Sequence, residues 1–345
     1  MKFMRLGIYF FAASFIFLTA CQSGGGGVSK NITGRAGEIV VVVNEDVWEG
    51  NVGSIVRNSL AQEHVALPQD EPLFDLIPVP RDAFTNVFRT TRNILQVRIS
   101  SNIDSVGVAF QENIWASPQA VVTIQAKNEQ EFNDLYQKSN NKIISFFLKA
   151  ERDRLFSNYS KYHESGIYNV LNENFGVTMN VAPGFQIAEQ KDDFIWLRYE
   201  TPEVAQGIIL FSYPFVSDSA FTIDYQLAIR DSLLKANIPG PTEGSYMATE
   251  RRLSQIHNIT KHNGNYAAEM RGLWRLMNDY MGGPYVSLAQ LDFENQRVVT
   301  AFGYVYAPGK DKRNLLRQVE AMIYSTRLNN QKNNDILNRQ LSLGE

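Results

Sequence analysis

The residues richest in chemistry lie in Tyr266–Tyr285, which reads YAAEMRGLWRLMNDYMGGPY. Glu269, Arg271, Arg275, Asn278 and Asp279 stand beside Trp274 or Tyr280. An aromatic face stacks on a sugar ring, and a guanidinium fork grips an oxyanion, so the set is a candidate ligand groove for a glycan or an anionic group. A second arrangement competes with it. Tyr266, Ala268, Met270, Gly272, Trp274 and Leu276 alternate with Glu269, Arg271 and Arg275. That period of two predicts an antiparallel strand with one buried and one wet face, its charges pairing across strands in water. The alternation puts Trp274 opposite the charges, which favours the second arrangement.

Other reaction chemistry is sparse. The four histidines are His64, His163, His257 and His262. His257 and His262 sit five apart on a predicted strand, so they point to opposite faces and do not share a metal. The single cysteine, Cys21, can form neither an internal disulfide nor a thiolate cage. The sequence has no H-E-x-x-H, no G-x-S-x-G elbow, no Walker-type loop and no G-x-G-x-x-G fingerprint. No catalytic residue, metal or cofactor is therefore assigned. Lys+Arg total 33 against 36 Asp+Glu, a net charge of -3, which supplies no electrostatic footprint for nucleic acid.

The N-terminus is a targeting device. Lys2 and Arg5 form a basic start, and Leu6–Leu18 is an uncharged apolar run. That run is shorter than the roughly 20 residues of a spanning helix and has the length of a signal-peptide core. Leu18-Thr19-Ala20-Cys21 follows, and it resembles the lipobox of bacterial lipoproteins. The resemblance implies cleavage before Cys21 and acylation of Cys21, so the partner expected there is a membrane, reached through N-terminal acyl chains. Gln22–Lys30 is Gly/Ser-rich, a flexible tether. No acidic cluster follows Cys21, which favours an outer-membrane protein facing the periplasm.

The elements that must position these residues divide the chain into a signal peptide (1–20), a lipidated tether (21–36), an N-terminal α/β sub-domain (37–163), a C-terminal α+β sub-domain (164–328) and a polar tail expected to be disordered (329–345). In the first half, strands are predicted at Glu38–Asn44, Leu73–Val79, Ile94–Ile99 and Ala120–Ala126, with Ile94–Ile99 half-buried. A helix is predicted over Asp46–Gln62, capped by Asp46, and a long one over Asn128–Tyr162, opened by a capping box and kinked or interrupted near Asn140-Asn141. The second half opens with a helix over Ile167–Phe175, ended by Gly176. Strands follow at Val177–Val181, Phe185–Glu189, Phe194–Tyr199 and Gly207–Tyr213, then a helix over Thr222–Ala236. Five more strands come at Ser245–Thr249, Ile256–Lys261, Tyr266–Leu276, Tyr285–Phe293 and Arg297–Ala307, and a helix over Lys312–Leu328 closes the body. The expected class is α+β: two packed sub-domains, the second a mostly antiparallel sheet flanked by helices.

The lipobox, the strand Glu38–Val43, Phe194–Arg198, and Arg271–Arg275 with Asn278–Tyr285 together resemble an uncharacterised family of bacterial lipoproteins, domain of unknown function 4837. The resemblance implies a Gram-negative envelope lipoprotein and brings no activity and no functional residues. The expected function is a lipid-anchored binding or assembly module for an envelope protein or glycan, with Glu269, Arg271, Trp274, Arg275, Asn278 and Asp279 as its candidate contacts. The alternative is an envelope hydrolase using Glu269, Asp279, His257 or His262. Asp104-Ser105-Val106 and Asp218-Ser219-Ala220 are similar to an envelope O-glycosylation sequon, which makes Ser105 and Ser219 candidate glycan sites. A third triplet, at Ser232, falls inside a predicted helix.

Overall fold

The computed structural model describes residues 30–329. The signal peptide, Cys21 and most of the tether, like the polar tail beyond Asn329, lie outside the described residues. The first lobe runs β1 (Lys30–Asn31), β2 (Glu38–Val42), α1 (Glu45–Glu49), α2 (Asn51–Leu60), β3 (Asp75–Val79), α3 (Asn86–Arg89), β4 (Asn93–Ile99), β5 (Gly107–Glu112), β6 (Ala116–Ser117), β7 (Ala120–Ala126) and α4 (Glu129–Lys161). Its sheet has the order β3-β2-β4-β7-β5; the first four strands are parallel and β5 joins β7 antiparallel. The β-branched run of β2 suits a strand buried on both faces. Ile39 and Val41 face a core built with α2 and α4, while Val40 and Val42 face a smaller one closed by Phe84, Phe88 and Trp115. Pro78 is tolerated because β3 is an edge strand.

Three expectations fail in this lobe. The helix expected over Asp46–Gln62 is two, because Gly50 is extended (φ -86, ψ -162) and parts α1 from α2. Asn44 and Gly50, not Asp46, hold their N-cap positions. The β4 strand is not half-buried: with β2 and β7 on either side even Gln96 is buried, so its alternation misleads. The long helix is not interrupted at Asn140-Asn141, since Asn140 Oδ1 accepts the Ser59 hydroxyl and is tied into the α2 contact. Its start follows the capping logic: Asn128 Oδ1 accepts the Glu131 N–H at 2.9 Å, and Glu131 reaches back to the Lys127 N–H at 2.7 Å.

The second lobe runs α5 (Ser165–Asn174), β8 (Val177–Thr178), β9 (Gln186–Lys191), β10 (Phe194–Glu200), β11 (Ala205–Pro214), α6 (Ile223–Asn237), β12 (Tyr246–Thr249), β13 (Ile256–His262), β14 (Asn265–Met277), β15 (Gly282–Asp292), β16 (Arg297–Tyr306), α7 (Arg313–Ile323) and β17 (Arg327–Leu328). The sheet order is β12-β14-β15-β16-β11-β10-β9, with β13 on the same edge of β14 as β12. Every pairing in it is antiparallel. The class is α+β. One face carries Ile195, Leu210, Val286 and Val299 against α5 and α7; the other carries Phe211, Met270, Trp274 and Phe302 against α6. The closing helix is shorter than expected: α7 ends at Ile323, and Arg327-Leu328 pairs with Val177-Thr178 instead.

Candidate functional site

The strand β14 holds the sequence-predicted residues, and the structure divides them. Odd positions face α7 and even positions face α6. Glu269 and Arg271 therefore point toward the first lobe, Trp274 is core at 3 % exposure, and Arg275, Asn278 and Asp279 lie at the far end. The six do not form one groove. The odd face is not uniformly wet either, because α7 and α4 cover it at Glu269 and Arg271.

The covered end is a network of charges between the lobes. Arg271 Nε donates to Glu269 at 2.6 Å, and its Nη2 and Nη1 donate to the two Glu320 oxygens at 2.8 and 3.3 Å. Burial alone would lower the Arg271 pKa, but Glu320 and Glu269 outweigh it and hold the guanidinium above its usual range. Burial pushes Glu320 up, and Arg271 and Arg152 overcome that, so its carboxyl titrates below the usual range. Arg152 of α4 lies 3.8 Å from Glu320 and stacks on Tyr324 at 5.0 Å. Next to Arg152 on α4, Glu151 receives Arg92 and Arg154, both at 2.9 Å, and the Asn93 amide at 2.7 Å.

Of these groups Glu151, Arg152, Arg271 and Glu320 wall a cavity of about 390 Å³. The first lobe contributes His64 and Leu73 from the stretch between α2 and β3, and Leu148 and Arg152 from α4; the second contributes Arg271, Arg317 and Glu320. The volume falls at the lower end of the roughly 300–1,000 Å³ range of small-molecule sites. His64 is buried, with Nδ1 2.9 Å from the Val65 carbonyl oxygen. A carbonyl only accepts, so Nδ1 carries the proton. Burial, with Arg317 and Arg271 adding to it, pushes the His64 pKa down to about 4. The ring is neutral at any ordinary pH.

Helix α7 links both lobes at this boundary. Glu71 of the first lobe accepts the Lys312 N–H at 2.7 Å and the Arg313 N–H at 2.8 Å, filling two of the donors a helix start leaves unmatched. Arg313 grips Asp75 through two nitrogens at 3.2 and 2.6 Å. Gly37, at φ +83, lets the Arg313 and Arg317 guanidiniums approach the backbone, where a Cβ would meet each at 3.0 Å.

The far end of β14 is open. Asp279 Oδ1 accepts the Tyr280 and Met281 N–H groups at 2.6 and 3.3 Å, and Oδ2 accepts the Thr242 hydroxyl at 2.6 Å. The Thr242 bond, with the two N–H bonds, holds its carboxyl below the usual range. Asn278 takes φ +62 and donates to the Gly244 carbonyl at 3.1 Å. Arg275 lies 3.5 Å from Glu250. Trp274 Nε1 donates to the Val305 carbonyl at 3.1 Å, and Gly283 packs where a Cβ would stand 2.1 Å from that same oxygen. These side chains spend their polar groups on building the turn. Tyr280, at 94 % exposure, is the exception.

The alternative set of Glu269, Asp279, His257 and His262 is not brought together. His257 pairs with Met270, on the face opposite Glu269; His262 pairs with Asn265 at the strand's start and lies 3.3 Å from the Thr326 carbonyl oxygen. Asp279 lies past the other end, about 40 Å away at 3.3 Å per residue. Among the described residues no group of three or more His, Cys, Asp or Glu side chains is placed to hold a metal. No described helix is long and apolar enough to cross a membrane. Ser105 is exposed on a bend, and Ser219 is exposed on a 3-10 turn with its hydroxyl 2.7 Å from that of Ser217.

The residues that build the cavity, His64, Glu151, Arg152, Arg317 and Glu320, were absent from the sequence-predicted set. The available signal was the spacing Arg313, Arg317, Glu320, a polar stripe on a helix whose other stripe is apolar.

Two family models cover most of the described chain. Residues 164–325 match "Domain of unknown function (DUF4837)", and residues 32–160 match "Domain of unknown function (DUF8532)". The chain thus carries uncharacterised family domains. No curated protein matches it. Among solved structures, a mutant of the protein Mog1 is 12 % identical, with 44 % of this chain and 90 % of that chain covered at a TM-score of 0.29. The Ran-binding protein Mog1p of Saccharomyces cerevisiae is 11 % identical, with 45 % and 90 % covered at a TM-score of 0.30. A protein from Bacteroides thetaiotaomicron VPI-5482 is 12 % identical, with 44 % and 45 % covered at a TM-score of 0.19.

Proposed function

We propose that this chain is a lipid-anchored binding module of the cell envelope, tethered through Cys21 to the outer membrane and facing the periplasm, and that it takes its ligand between the two lobes. The anchor reading is supported by the order of basic start, apolar run and lipobox in residues 1–21. The ligand reading is carried by one observation: a cavity of about 390 Å³ whose walls come from both lobes and are charged. Buried charge costs stability unless it is matched, so a charged cavity that serves only packing is a poor solution for a fold. The ligand class is an envelope glycan or a small molecule derived from an envelope partner.

Two measurements test this. Cys21→Ser should move the protein from the membrane fraction to the soluble envelope extract; a chain that stays membrane-bound removes the anchor. Hydrogen exchange on detergent-purified full-length protein, with and without a small-molecule extract of the envelope, tests the site. Protection at residues 62–65, 145–152 and 317–320 supports it. Protection confined to the Tyr280 edge, or none anywhere, overturns it.

A further inference from the structure

The charges on the walls of the inter-lobe cavity are unequally paired. Arg152, Arg271 and Arg317 line it with the buried Glu151, the half-buried Glu320 and Glu63 exposed at the rim, while Arg92, Arg154 and Glu269 stand behind the lining and pair with Glu151 and Arg271. Four of the guanidiniums sit within ion-pair reach of a carboxylate. Arg317 does not. It is 8 % exposed, its Nη2 donates to the Leu73 carbonyl at 2.6 Å, its face rests on Phe74 at 5.0 Å, and its Nε and Nη1 have no hydrogen-bond partner. Glu151, Glu320 and Asp75 act on it only from beyond contact, and a desolvated cation with no carboxylate in contact is an expensive arrangement in a folded protein.

The same chain shows how a buried arginine looks when its role is packing. Arg230, at 2 % exposure, is likewise paired with no carboxylate and has an unpartnered Nε, but it lies over two rings, Tyr285 and Phe302 at 4.3 and 5.0 Å, and donates to the Thr249 and Tyr285 hydroxyls at 2.7 and 3.0 Å. Arg230 is enclosed by aromatic core. Arg317 lines a cavity and has one ring and one carbonyl.

Resting on the inter-lobe cavity as the ligand site, we infer that the ligand carries an oxyanion, a carboxylate or a phosphate, and that this group is the missing counter-ion of Arg317, with Arg152 and Arg271 beside it. A planar fork suits both oxyanions, and charge-assisted bonds from it are strong enough to select for them. Arg313 and its partner Asp75 stand behind Arg317, already matched to each other.

His64 supplies an internal reporter. It faces the same space as Arg317 and Arg271, which lower its pKa, while Glu320 raises it; Glu63, Glu151 and Arg152 line the remaining walls. An anion held among the arginines offsets their effect, so the His64 titration midpoint must rise on binding.

The test uses the full chain, with inorganic phosphate, malonate, a neutral disaccharide and chloride at matched ionic strength as probes. Calorimetry reads affinity and histidine-selective NMR reads the His64 midpoint. The expected result is saturable binding of phosphate or malonate, an upward shift of His64 from about 4 by at least half a unit, and no saturable effect of chloride. Stronger binding of one anion tells phosphate from carboxylate. Arg317→Lys should weaken binding at least tenfold, because it keeps the charge and loses the fork, and Arg317→Met should abolish it. Should Arg317→Met fail to fold, Arg317→Lys and the wild-type His64 shift decide alone. Binding of the neutral disaccharide at the cavity without either anion overturns the oxyanion and leaves the ligand site standing. No binding of any probe, together with no exchange protection by envelope extract, removes both. An anion effect that chloride reproduces, or one that Arg317→Lys leaves unchanged, overturns the inference as well.

Discussion

The two ends of β14 carry the same kind of sequence and do different things. At one end, Glu269 and Arg271 are covered by α7 and α4, and every charged nitrogen of Arg271 has a carboxylate. At the other, Arg275 and Asp279 meet solvent and hold a turn. Alternation fixes which face a side chain takes. It says nothing about what lies on top of that face, and the cover decides whether a charge pair becomes a buried network or a solvated rim. Buried pairs are costly to break, and solvated ones contribute little.

The sharpest way to break this comparison is Glu320→Ala. It strips Arg271 of one of its two carboxylates and leaves Arg152 without its nearest one. Urea unfolding should show a loss of about 3–5 kcal/mol, the range for a buried pair with one partner removed. Arg275→Ala at the open end should lose about 1 kcal/mol or less. Equal losses would mean that cover is irrelevant.

Acid should separate the two ends next. His64 has a folded pKa lowered from 6.5 to about 4, so the unfolded chain binds its proton first. Stability from this group is complete above about pH 6.5 and is lost as pH falls toward 4, by about 3 kcal/mol at 1.36 kcal/mol per unit. Glu320 acts in the same direction at lower pH: its folded pKa is depressed, so its contribution is present above the ordinary carboxylate value and lost as pH falls through the folded one. His64→Gln should flatten the stability curve between pH 6.5 and 4. A curve that keeps its slope in that window places the sensitivity elsewhere.

The cover itself can be loosened. Glu71→Ala frees the Lys312 and Arg313 N–H groups at the start of α7. A lost cap costs about 0.5–2 kcal/mol, and the loss should appear as faster hydrogen exchange in the first turn of α7. Unchanged exchange there would show that α7 is held by its apolar stripe alone.

Much of this was legible in the sequence, for local reasons. The Val run of β2, the Asn128–Glu131 cap of α4 and the alternation of β14 are each set by residues within a few positions of one another. What was illegible is tertiary. Gln96 alternates like a half-exposed residue but sits in a central strand. Glu269 and Arg271 look solvated until α7, some fifty residues later, returns across them. Arg317 and His64 meet only because the stretch between α2 and β3 packs on α7, a contact with no signature at either place. The six-residue groove divides: Trp274, Arg275 and Asp279 line one pocket at the open end, while Arg271 lines the inter-lobe cavity.

The smallest effect is the most discriminating for the open end. Tyr280 is 94 % exposed, and its ring is held by nothing; only its backbone N–H is tied, to Asp279. Tyr280→Ala should shift stability by no more than about 0.5 kcal/mol. It should also leave phosphate or malonate binding unaltered, because the inter-lobe cavity lies on the other side of the strand's covered end. A loss above about 1 kcal/mol would mean the ring packs and the open end is a folded site. Unchanged stability with lost ligand binding would move the ligand from the arginines between the lobes to the aromatic edge, and the covered end of β14 would then be architecture alone.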